Sequence, residues 1–238
     1  MPIYRLPDEH LFPHPDEAEF DGLLAVGGDL HPHRLVTAYA QGIFPWYGEG
    51  SPILWWSTDP RLVLEPVRLH VPRSLERVLR QGRFTFSMDQ DFPAVIRACA
   101  DAPRPGQEGT WLVEEMIEAY TRLYELGLAH SIEARQDGEL KGGLYGVSLG
   151  RVFFGESMFH EAPEASKACL VVLARQLLAW DFHLIDCQQT TAHMQRFGAR
   201  ELCRAEFLRR LEASLEHPTR QGRWELETRS LNREKGLD

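Results

Sequence analysis

The sequence predicts a mixed α/β (α+β) protein built in two lobes, and three observations support this. The 238 residues are enough for a small domain joined to a larger one. Strand-like alternation and apolar stripes at helical spacing both occur along the chain, without internal repeats. The opening part, up to about residue 60, is rich in proline, glycine and aromatic residues. We therefore expect a small N-terminal α+β domain at residues 1–62 and a larger domain at residues 63–238.

The opening lobe contains one clear helix, predicted at residues 32–41. Pro32 suits its first position, and Gly42 suits its end. Residues 53–65 are expected to form an extended segment that is broken at Asp59-Pro60.

In the larger domain, helices and strands alternate. Helices are predicted at residues 73–81, 91–100, 113–127, 165–180, 191–196 and 204–215. Strands are predicted at residues 84–89, across two hairpins that turn at Asp137-Gly138 and Leu149-Gly150, and at residues 183–188. The helix at 165–180 is apolar nearly all round and should be buried, whereas the tail after His217 is expected to fray. This order of elements is similar to that of GNAT-type (acyl-CoA N-acyltransferase-like) enzymes, an analogy of fold alone.

Composition excludes several classes of protein. Hydrophobic residues make up 43% of the chain and charged residues 26%, which is typical of a folded domain rather than a disordered one. Apolar runs long enough for a membrane span are absent, as is a secretory signal, so we expect a cytoplasmic protein. Four scattered cysteines without a CxxC pattern indicate reduced thiols.

The net charge of −9 argues mildly against a general nucleic-acid binder. Two stretches differ from this average. Residues 61–83 hold six arginines against two glutamates, and residues 196–210 hold five arginines against two glutamates. Such stripes could contact a phosphate backbone, although charge alone favours ordinary solvated helix faces.

Patterns for a metal site, a serine nucleophile or a phosphate-binding loop are absent from the sequence. The candidate site is instead the stretch from residue 141 to residue 188. Glu156 follows an apolar run there. Asp186 and Gln188 are two residues apart and would point the same way on a strand, with Cys187 on the opposite face. Such polar groups indicate either a structural hydrogen-bond network at a sheet edge or catalysis, and the residues alone support both equally.

Two tryptophans bear on this choice. Trp46 follows a proline, and Trp111 ends a loop. Each could belong to the core, as most tryptophans do, or could stack on a nucleotide base.

Nine stretches, in order along nearly the whole chain, resemble the bacterial leucyl/phenylalanyl-tRNA–protein transferase family. They are GLLAVGGDL (residues 22–30), GIFPWY (42–47), PILWWSTDPR (52–61), TW (110–111), AHSIE (129–133), GGLYG (142–146), FFGESMF (153–159), ASK (165–167) and DCQ (186–188). Departures from the usual family pattern include Thr58, where a proline is common. The departures are expected not to touch Glu156, Asp186, Gln188, Trp46 or Trp111.

The resemblance implies a small N-terminal domain on a GNAT-like one, acting without a cofactor. A coenzyme A enzyme of that fold would carry a glycine-rich pyrophosphate loop, which residues 155–167 lack. The implied donor is aminoacyl-tRNA carrying Leu or Phe, with Met as a further candidate. The implied acceptors are proteins with N-terminal Arg or Lys, which the transfer would mark for N-end-rule degradation. A monomer is expected.

The resemblance also implies residue roles. Trp46 and Trp111 would hold the terminal adenosine of the tRNA. The side chain of the transferred amino acid would lie among Leu144, Met158, Leu170, Leu173 and Ile185. The acceptor stem would be contacted by Arg73, Arg77, Arg80 and Arg83.

For the chemistry, Asp186 would fix the side-chain amide of Gln188, whose carbonyl oxygen would bind the attacking amine. The adenosine 2′-hydroxyl is the alternative proton relay. Glu156 would bind an ammonium group, either the donor's own or the acceptor's.

Two other interpretations stay open at this point. One is a coenzyme A-dependent N-acetyltransferase on the same fold. The other is a binding module for basic N-termini without catalytic activity.

Overall fold

A computed structural model of the chain describes residues 3–103 and 112–227. The helices are α1 Pro32–Ala40, α2 Arg73–Arg80, α3 Phe92–Asp101, α4 Glu114–Glu125, α5 Ala165–Ala179, α6 Ala192–Gln195 and α7 Arg204–Leu215. The strands are β1 Tyr4–Arg5, β2 Leu23–Val26, β3 Phe44–Pro45, β4 Leu54–Trp56, β5 Arg61–Leu64, β6 Thr85–Met88, β7 Ala129–Gln136, β8 Glu139–Leu149, β9 Val152–His160, β10 Leu184–Asp186 and β11 Arg200–Leu202. The predicted mixed α/β fold class is confirmed, as are the predicted helices to within a residue or two at their ends. The short strand β11 was not predicted.

Two sheets organise the chain. The smaller has the strand order β1-β2-β4-β3, and the larger has the order β11-β5-β10-β9-β8-β7-β6. The extended segment predicted at residues 53–65 is therefore two strands in two different sheets, because β4 lies in the small sheet and β5 in the large one. The expected domain division after residue 62 falls inside β5 and stays a prediction.

The large sheet is covered on both faces. Helices α3 and α4 pack on one face together with α1 of the opening lobe, and α5 packs on the other. Most of α5 is buried, as its nearly continuous apolar sequence predicts, because the sheet lies on one side of it and α2 on the other. No helix among the described residues is long and apolar enough to cross a membrane.

The segment after His217 packs against the protein as far as residue 227, so the prediction that it frays is wrong there. Trp224 is only 1% exposed. Its ring stacks on His130 with centroids 3.6 Å apart, and its backbone N–H donates to Oδ2 of Asp89 at 2.7 Å. A single large aromatic side chain holds this otherwise polar tail in place, since burying a tryptophan removes a large apolar area from water.

The large sheet opens where β9 and β10 run side by side. These strands are parallel, and they pair only over Val152–Phe154 of β9. Beyond Phe154 the rest of β9 stays paired with β8 alone. The gap that results is where the candidate site lies.

Candidate active site

Glu156 is the extra residue of a β-bulge. In the pairing of β8 with β9, Tyr145 lies opposite Ser157 and Gly146 lies opposite Gly155, which leaves Glu156 without a partner residue. A bulge of this kind changes the direction in which a side chain points and is common beside active sites. It also shifts the alternation of β9, so that Phe153 and Met158, five positions apart, both join the cluster packed around α5.

The Glu156 carboxylate is held by two tyrosines from different parts of the chain. Tyr39 of α1 donates to Oε1 at 2.7 Å, and Tyr120 of α4 donates to Oε2 at 2.9 Å. The two tyrosine hydroxyl oxygens lie 2.5 Å from each other. Both tyrosines are fully buried, so the opening lobe contributes directly to the site through Tyr39.

This environment changes the proton affinity of all three groups. Burial raises the pKa of Glu156 to about 7, and the Asp186 carboxylate adds to the rise, while the two tyrosine hydrogen bonds and Arg61 oppose it. Burial, followed by the Glu156 charge, also holds the pKa of Tyr39 and Tyr120 well above the ordinary range of a phenol. Glu156 is thus the one of the three that can exchange a proton near neutral pH.

Asp186 is buried and forms a bidentate ion pair with Arg61. Nε of Arg61 lies 2.8 Å from Oδ1, and Nη2 lies 2.6 Å from Oδ2. The guanidinium carbon is 4.7 Å from the ring centroids of both Phe44 and Phe207. A planar guanidinium suits both the two-pronged contact and the aromatic sandwich. Arg61, which the sequence placed in a basic stripe, is therefore a buried partner of Asp186 and is not available to a phosphate backbone.

Gln188 is oriented differently from the prediction. Its backbone N–H, not its side-chain amide, donates to Oδ1 of Asp186 at 3.0 Å. Its side-chain Nε2 instead donates to Oε1 of Glu156 at 3.4 Å. The reason is that β10 ends at Asp186 and Gln188 has a left-handed backbone with φ of 54°, so strand alternation does not apply. Cys187 also lines the cavity, and it packs against the buried cluster around α5.

Thr58 touches the site as well. Its hydroxyl donates to the backbone carbonyl of Gln188 at 3.0 Å. The expectation that departures from the family pattern leave the site untouched is therefore wrong at this position. The contact could not be seen in the sequence, because 130 positions separate the two residues.

A cavity of about 380 Å³ opens at the gap between β9 and β10. The five residues predicted for the amino-acid pocket all line it, and so do Glu156, Asp186 and Gln188. Most of its wall is apolar, and Glu156 and Gln188 contact each other within it. The structure adds wall residues that the sequence did not single out, from β8, from β9 and from the short helix α6 with its flanking turn: Tyr145, Phe153, Gly155, Ser157, Thr191, His193 and Met194.

Sequence reasoning also missed two residues that act through another side chain, Tyr39 and Tyr120. Tyr39 looks like an ordinary apolar helix residue, and Tyr120 belongs to the amphipathic stripe of α4. The only available signal was that Tyr39 and Tyr120 each carry a hydroxyl on a face predicted to be buried, where such a group needs a partner.

Of the two tryptophans predicted to bind the adenosine, the structure describes only Trp46. Trp46 is partly buried, and its ring meets that of Trp56 edge-on, with centroids 5.6 Å apart. It is not among the cavity-lining residues. Trp111 lies outside the described residues.

The predicted acceptor-stem arginines form a distinct surface on and just after α2. Arg73, Arg77, Arg80 and Arg83 are all exposed, and within the described parts of the chain none of them forms an ion pair. The other arginine-rich stretch differs, because Arg204 is buried against the Ser57 carbonyl. Arg209 and Arg210 are paired with Glu206. The four arginines on and just after α2 thus form a surface whose positive charge has no ion-pair partner among the described residues.

Comparison with known proteins decides the family. A family model described as leucyl/phenylalanyl-tRNA protein transferase matches residues 63–212, and the model of its N-terminal domain matches residues 28–59. A leucyl/phenylalanyl-tRNA–protein transferase from Anaeromyxobacter sp. (strain Fw109-5) is 63% identical over 95% of this chain and 97% of its own length.

The chain belongs to the leucyl/phenylalanyl-tRNA–protein transferase family.

Other members are similar over the same span. The protein from Myxococcus xanthus (strain DK1622) is 57% identical over 94% of this chain and 97% of its own. That from Oleidesulfovibrio alaskensis is 55% identical over 95% and 93%. As a member of this transferase family the chain is an enzyme, and the family name gives aminoacyl-tRNA and protein as its substrates.

Solved structures are more distant. A GCN5-related N-acetyltransferase from Kribbella flavida aligns with a TM-score of 0.35 and 14% identity, over 71% of this chain and 58% of that one. L-PGS from Bacillus licheniformis aligns with a TM-score of 0.37 and 11% identity, over 57% and 49%.

Proposed function

We propose that the enzyme moves Leu or Phe from aminoacyl-tRNA to the N-terminal Arg or Lys of acceptor proteins, with Met as a further donor, and so marks them for N-end-rule degradation. The observation that carries this proposal is the cavity of about 380 Å³ between β9, β10 and α5. Its volume lies within the roughly 300–1,000 Å³ usual for small-ligand pockets, and its wall carries the hydrogen-bonded group of Glu156, Gln188 and Asp186.

The wall of the cavity supports the choice of amino acid. Leu144, Met158, Leu170, Leu173 and Ile185 offer an apolar lining. Such a lining favours Leu and Phe over polar side chains, because those would lose their hydrogen bonds to water. An unbranched, flexible methionine adapts to more than one shape, and apolar pockets separate similar side chains by only about 1–3 kcal/mol.

The reaction is aminolysis of an activated ester, so the protein must mainly orient two reactants and move protons. Asp186 would act as a positioning residue, since both its oxygens are occupied by Arg61 and one of them also accepts from the Gln188 backbone. The side-chain carbonyl oxygen of Gln188 would accept a hydrogen bond from the attacking amine. Glu156 lies beside it and would bind an ammonium group.

The tRNA would contact the enzyme through its terminal adenosine and through its acceptor stem. Trp46 and Trp111 would hold the terminal adenosine by stacking, which requires no sequence readout. The acceptor stem would be contacted by Arg73, Arg77, Arg80 and Arg83, whose uncompensated charge suits a phosphate backbone. A monomer in the cytoplasm would carry out this reaction.

The proposal is tested by incubating the full-length protein with labelled Phe-tRNA and a peptide that begins with Arg. We expect label on the peptide. A peptide of the same sequence with an acetylated N-terminus is the matched control and should remain unlabelled. Label that does not depend on a free N-terminus, or no label at all, would contradict the proposed transfer.

A further inference from the structure

Two tyrosine hydroxyl groups and one carboxylate contact each other in all three pairs beside the cavity. Tyr39 Oη, Tyr120 Oη and the Glu156 carboxylate lie pairwise at 2.5, 2.7 and 2.9 Å. Each distance is within hydrogen-bonding range, so each contact calls for one proton between its oxygens. We refer to these three side chains as the tyrosine–glutamate ring.

Counting protons separates the two charge states of the ring. With Glu156 ionised, the ring holds only the two hydroxyl protons of Tyr39 and Tyr120, and one of the three contacts brings two oxygens together without a proton. With Glu156 protonated, the ring holds three protons for three contacts. Tyr39 can then donate to Tyr120, Tyr120 to the carboxyl group, and the carboxyl group back to Tyr39. The ring with Glu156 ionised therefore has room for one further proton among its three contacts.

Other groups face the ring from every neighbouring element. Gln188, after β10, donates to Oε1 of Glu156 at 3.4 Å. From β10 and β5, the charges of Asp186 and Arg61 act on Glu156 in opposite directions, and from β8, Tyr145 packs edge-on against Tyr120 with centroids 5.6 Å apart. Asp186 and Arg61 neutralise each other as a bidentate pair. Burial and then the hydrogen bonds of the ring itself therefore have the largest effects on the pKa of Glu156.

We infer that the tyrosine–glutamate ring is the acceptor of the proton that the incoming α-ammonium group must lose before it can attack the ester. Glu156 is the catalytic residue that touches the substrate, and Tyr39 and Tyr120 are positioning residues that act through it. This inference rests on the aminoacyl transfer proposed above and gives Glu156 a defined part in it.

The α-ammonium of the acceptor gives one N–H proton to the Glu156 carboxylate, and the freed lone pair forms the C–N bond to the ester carbonyl carbon. The C–O bond to the ribose then breaks, and the departing ribose oxygen takes a second proton from the same nitrogen. Glu156 releases its proton to water after the product leaves.

Proton affinities of donor and acceptor are well matched for this step. An α-amino group has a pKa of roughly 7.7–8.0, and that of Glu156 is raised to about 7. Proton transfer between groups so close in pKa is efficient near neutral pH.

The pH dependence of single-turnover transfer to an Arg-initiated peptide tests the inference. Transfer should fall as the pH drops through the pKa of Glu156, because the protonated carboxyl group cannot accept another proton. The tyrosine hydrogen bonds lower this pKa, so Tyr39→Phe and Tyr120→Phe should each raise it and move the acid limb upward by roughly 0.5–1 pH unit. Glu156→Gln should slow transfer at pH 7 by roughly 10-fold, because only about a tenth of the acceptor amine is neutral at that pH, with recovery as the amine becomes neutral at higher pH.

Tyr124→Phe is the matched control. Tyr124 is also on α4, but its hydroxyl donates to the Asp89 carbonyl at 2.9 Å, outside the ring. The acid limb of the pH profile of Tyr124→Phe should coincide with that of the unaltered enzyme. An acid limb that stays in place in both ring variants, or a Glu156→Gln enzyme with normal transfer at pH 7, overturns the inference while leaving the transfer itself established.

Infrared titration of the enzyme gives a reading that needs no turnover. A carboxylic acid band should vanish as the pH is raised through about 7, should be missing in Glu156→Gln and should persist to higher pH in Tyr39→Phe. Absence of that band in the unaltered protein below neutral pH would also overturn the inference. If the unaltered enzyme transfers no label at all, the proposed function fails, and the infrared result still decides whether the ring binds the proton.

Discussion

At the scale of single residues, the site depends on side chains that fix other side chains. Arg61 is 1% exposed and holds Asp186, which is fully buried. Asp186 in turn accepts a hydrogen bond from the backbone N–H of Gln188. The backbone carbonyl of Gln188 accepts a hydrogen bond from the Thr58 hydroxyl. A chain of contacts thus runs from the end of β4 to Gln188 without passing through substrate.

Arg61→Met should destabilise the fold by about 3–5 kcal/mol, because it leaves Asp186 buried and uncompensated. Urea unfolding measures this. Arg209→Met breaks an exposed pair with Glu206 and is the control, expected to cost less than about 1 kcal/mol.

The double variant Arg61→Met with Asp186→Leu separates stability from function. It removes both charges, so much of the lost stability should return, but Gln188 loses the acceptor for its backbone N–H, and transfer should stay low. Full recovery of transfer in this variant would show that Asp186 does not position Gln188.

Met158→Ala should weaken the use of Phe more than the use of Leu, because the larger ring loses more contact with the enlarged wall. We expect a shift in the Phe-to-Leu ratio of kcat/KM corresponding to about 1–3 kcal/mol. Leu178→Ala, which removes an exposed apolar side chain of α5, is the control and should leave the ratio unchanged. An unchanged ratio in Met158→Ala would contradict the pocket assignment.

At the scale of the elements, the bulge of β9 brings the apolar wall of the cavity next to the Glu156 carboxylate and its tyrosine partners. It places Phe153 and Met158 on the same side as α5, while Glu156 reaches the tyrosines of α1 and α4. The short pairing of β9 with β10 leaves room for a cavity beside it. Glycines in β8 and β9 accommodate this local geometry.

Gly146→Ala should therefore destabilise the protein, since a Cβ there would lie 2.1 Å from the Phe154 carbonyl oxygen. The expected loss is about 1–3 kcal/mol or more, measured by thermal or urea unfolding. Gly155→Ala is the matched control on the facing strand, where the nearest atom to a Cβ is the Asp186 carbonyl oxygen at 3.6 Å. Equal stability of the two variants would mean that β8 can shift to relieve the contact.

At the scale of the whole molecule, helix α1 packs on one face of the large sheet and the tail around Trp224 packs on the other. The opening lobe inserts Tyr39 into the site from one face. On the other face, Trp224 fills a slot formed by His130, Trp180, Phe182 and Phe153. Charge is distributed unevenly over the surface. The protein has a net charge of −9, yet the arginines of α2 are exposed and have no ion-pair partner among the described residues.

Trp224→Ala should lower stability by about 3–5 kcal/mol, as for other buried tryptophans cut back to alanine. The change also leaves one side of the His130 ring without its stacking partner. Glu225→Ala, at an exposed neighbouring position, should have little effect in the same unfolding experiment. A small loss in Trp224→Ala would mean that the tail does not contribute to the fold.

Arg77→Glu combined with Arg80→Glu should weaken tRNA binding and flatten its dependence on salt, because fewer counterions are released on binding. Filter binding over a range of salt concentrations measures both effects. Arg122→Glu, an exposed arginine of α4 on the opposite face of the sheet, is the control for a change of charge. Unchanged salt dependence in the double variant would identify the arginine surface as an ordinary solvated helix face.

The sequence alone determined the local elements, because periodicity, turn residues and caps act within a few residues. The helix α1 follows from Pro32 and Gly42, the two hairpins follow from Asp137-Gly138 and Leu149-Gly150, and the burial of α5 follows from its apolar composition. The nine stretches that resemble the family also led to the family and to a set of pocket residues that line one cavity. These features depend on neighbours in the chain or on resemblance, and neither requires coordinates.

Only the tertiary structure decided how distant polar groups meet. Asp186 pairs with Arg61 across 125 positions, and Tyr39 reaches Glu156 across 117. The bulge at Glu156 and the left-handed backbone at Gln188 break the strand alternation on which the predicted side-chain directions depended. Buried polar groups take whichever partner the packing brings within hydrogen-bonding distance, and packing depends on the whole chain at once.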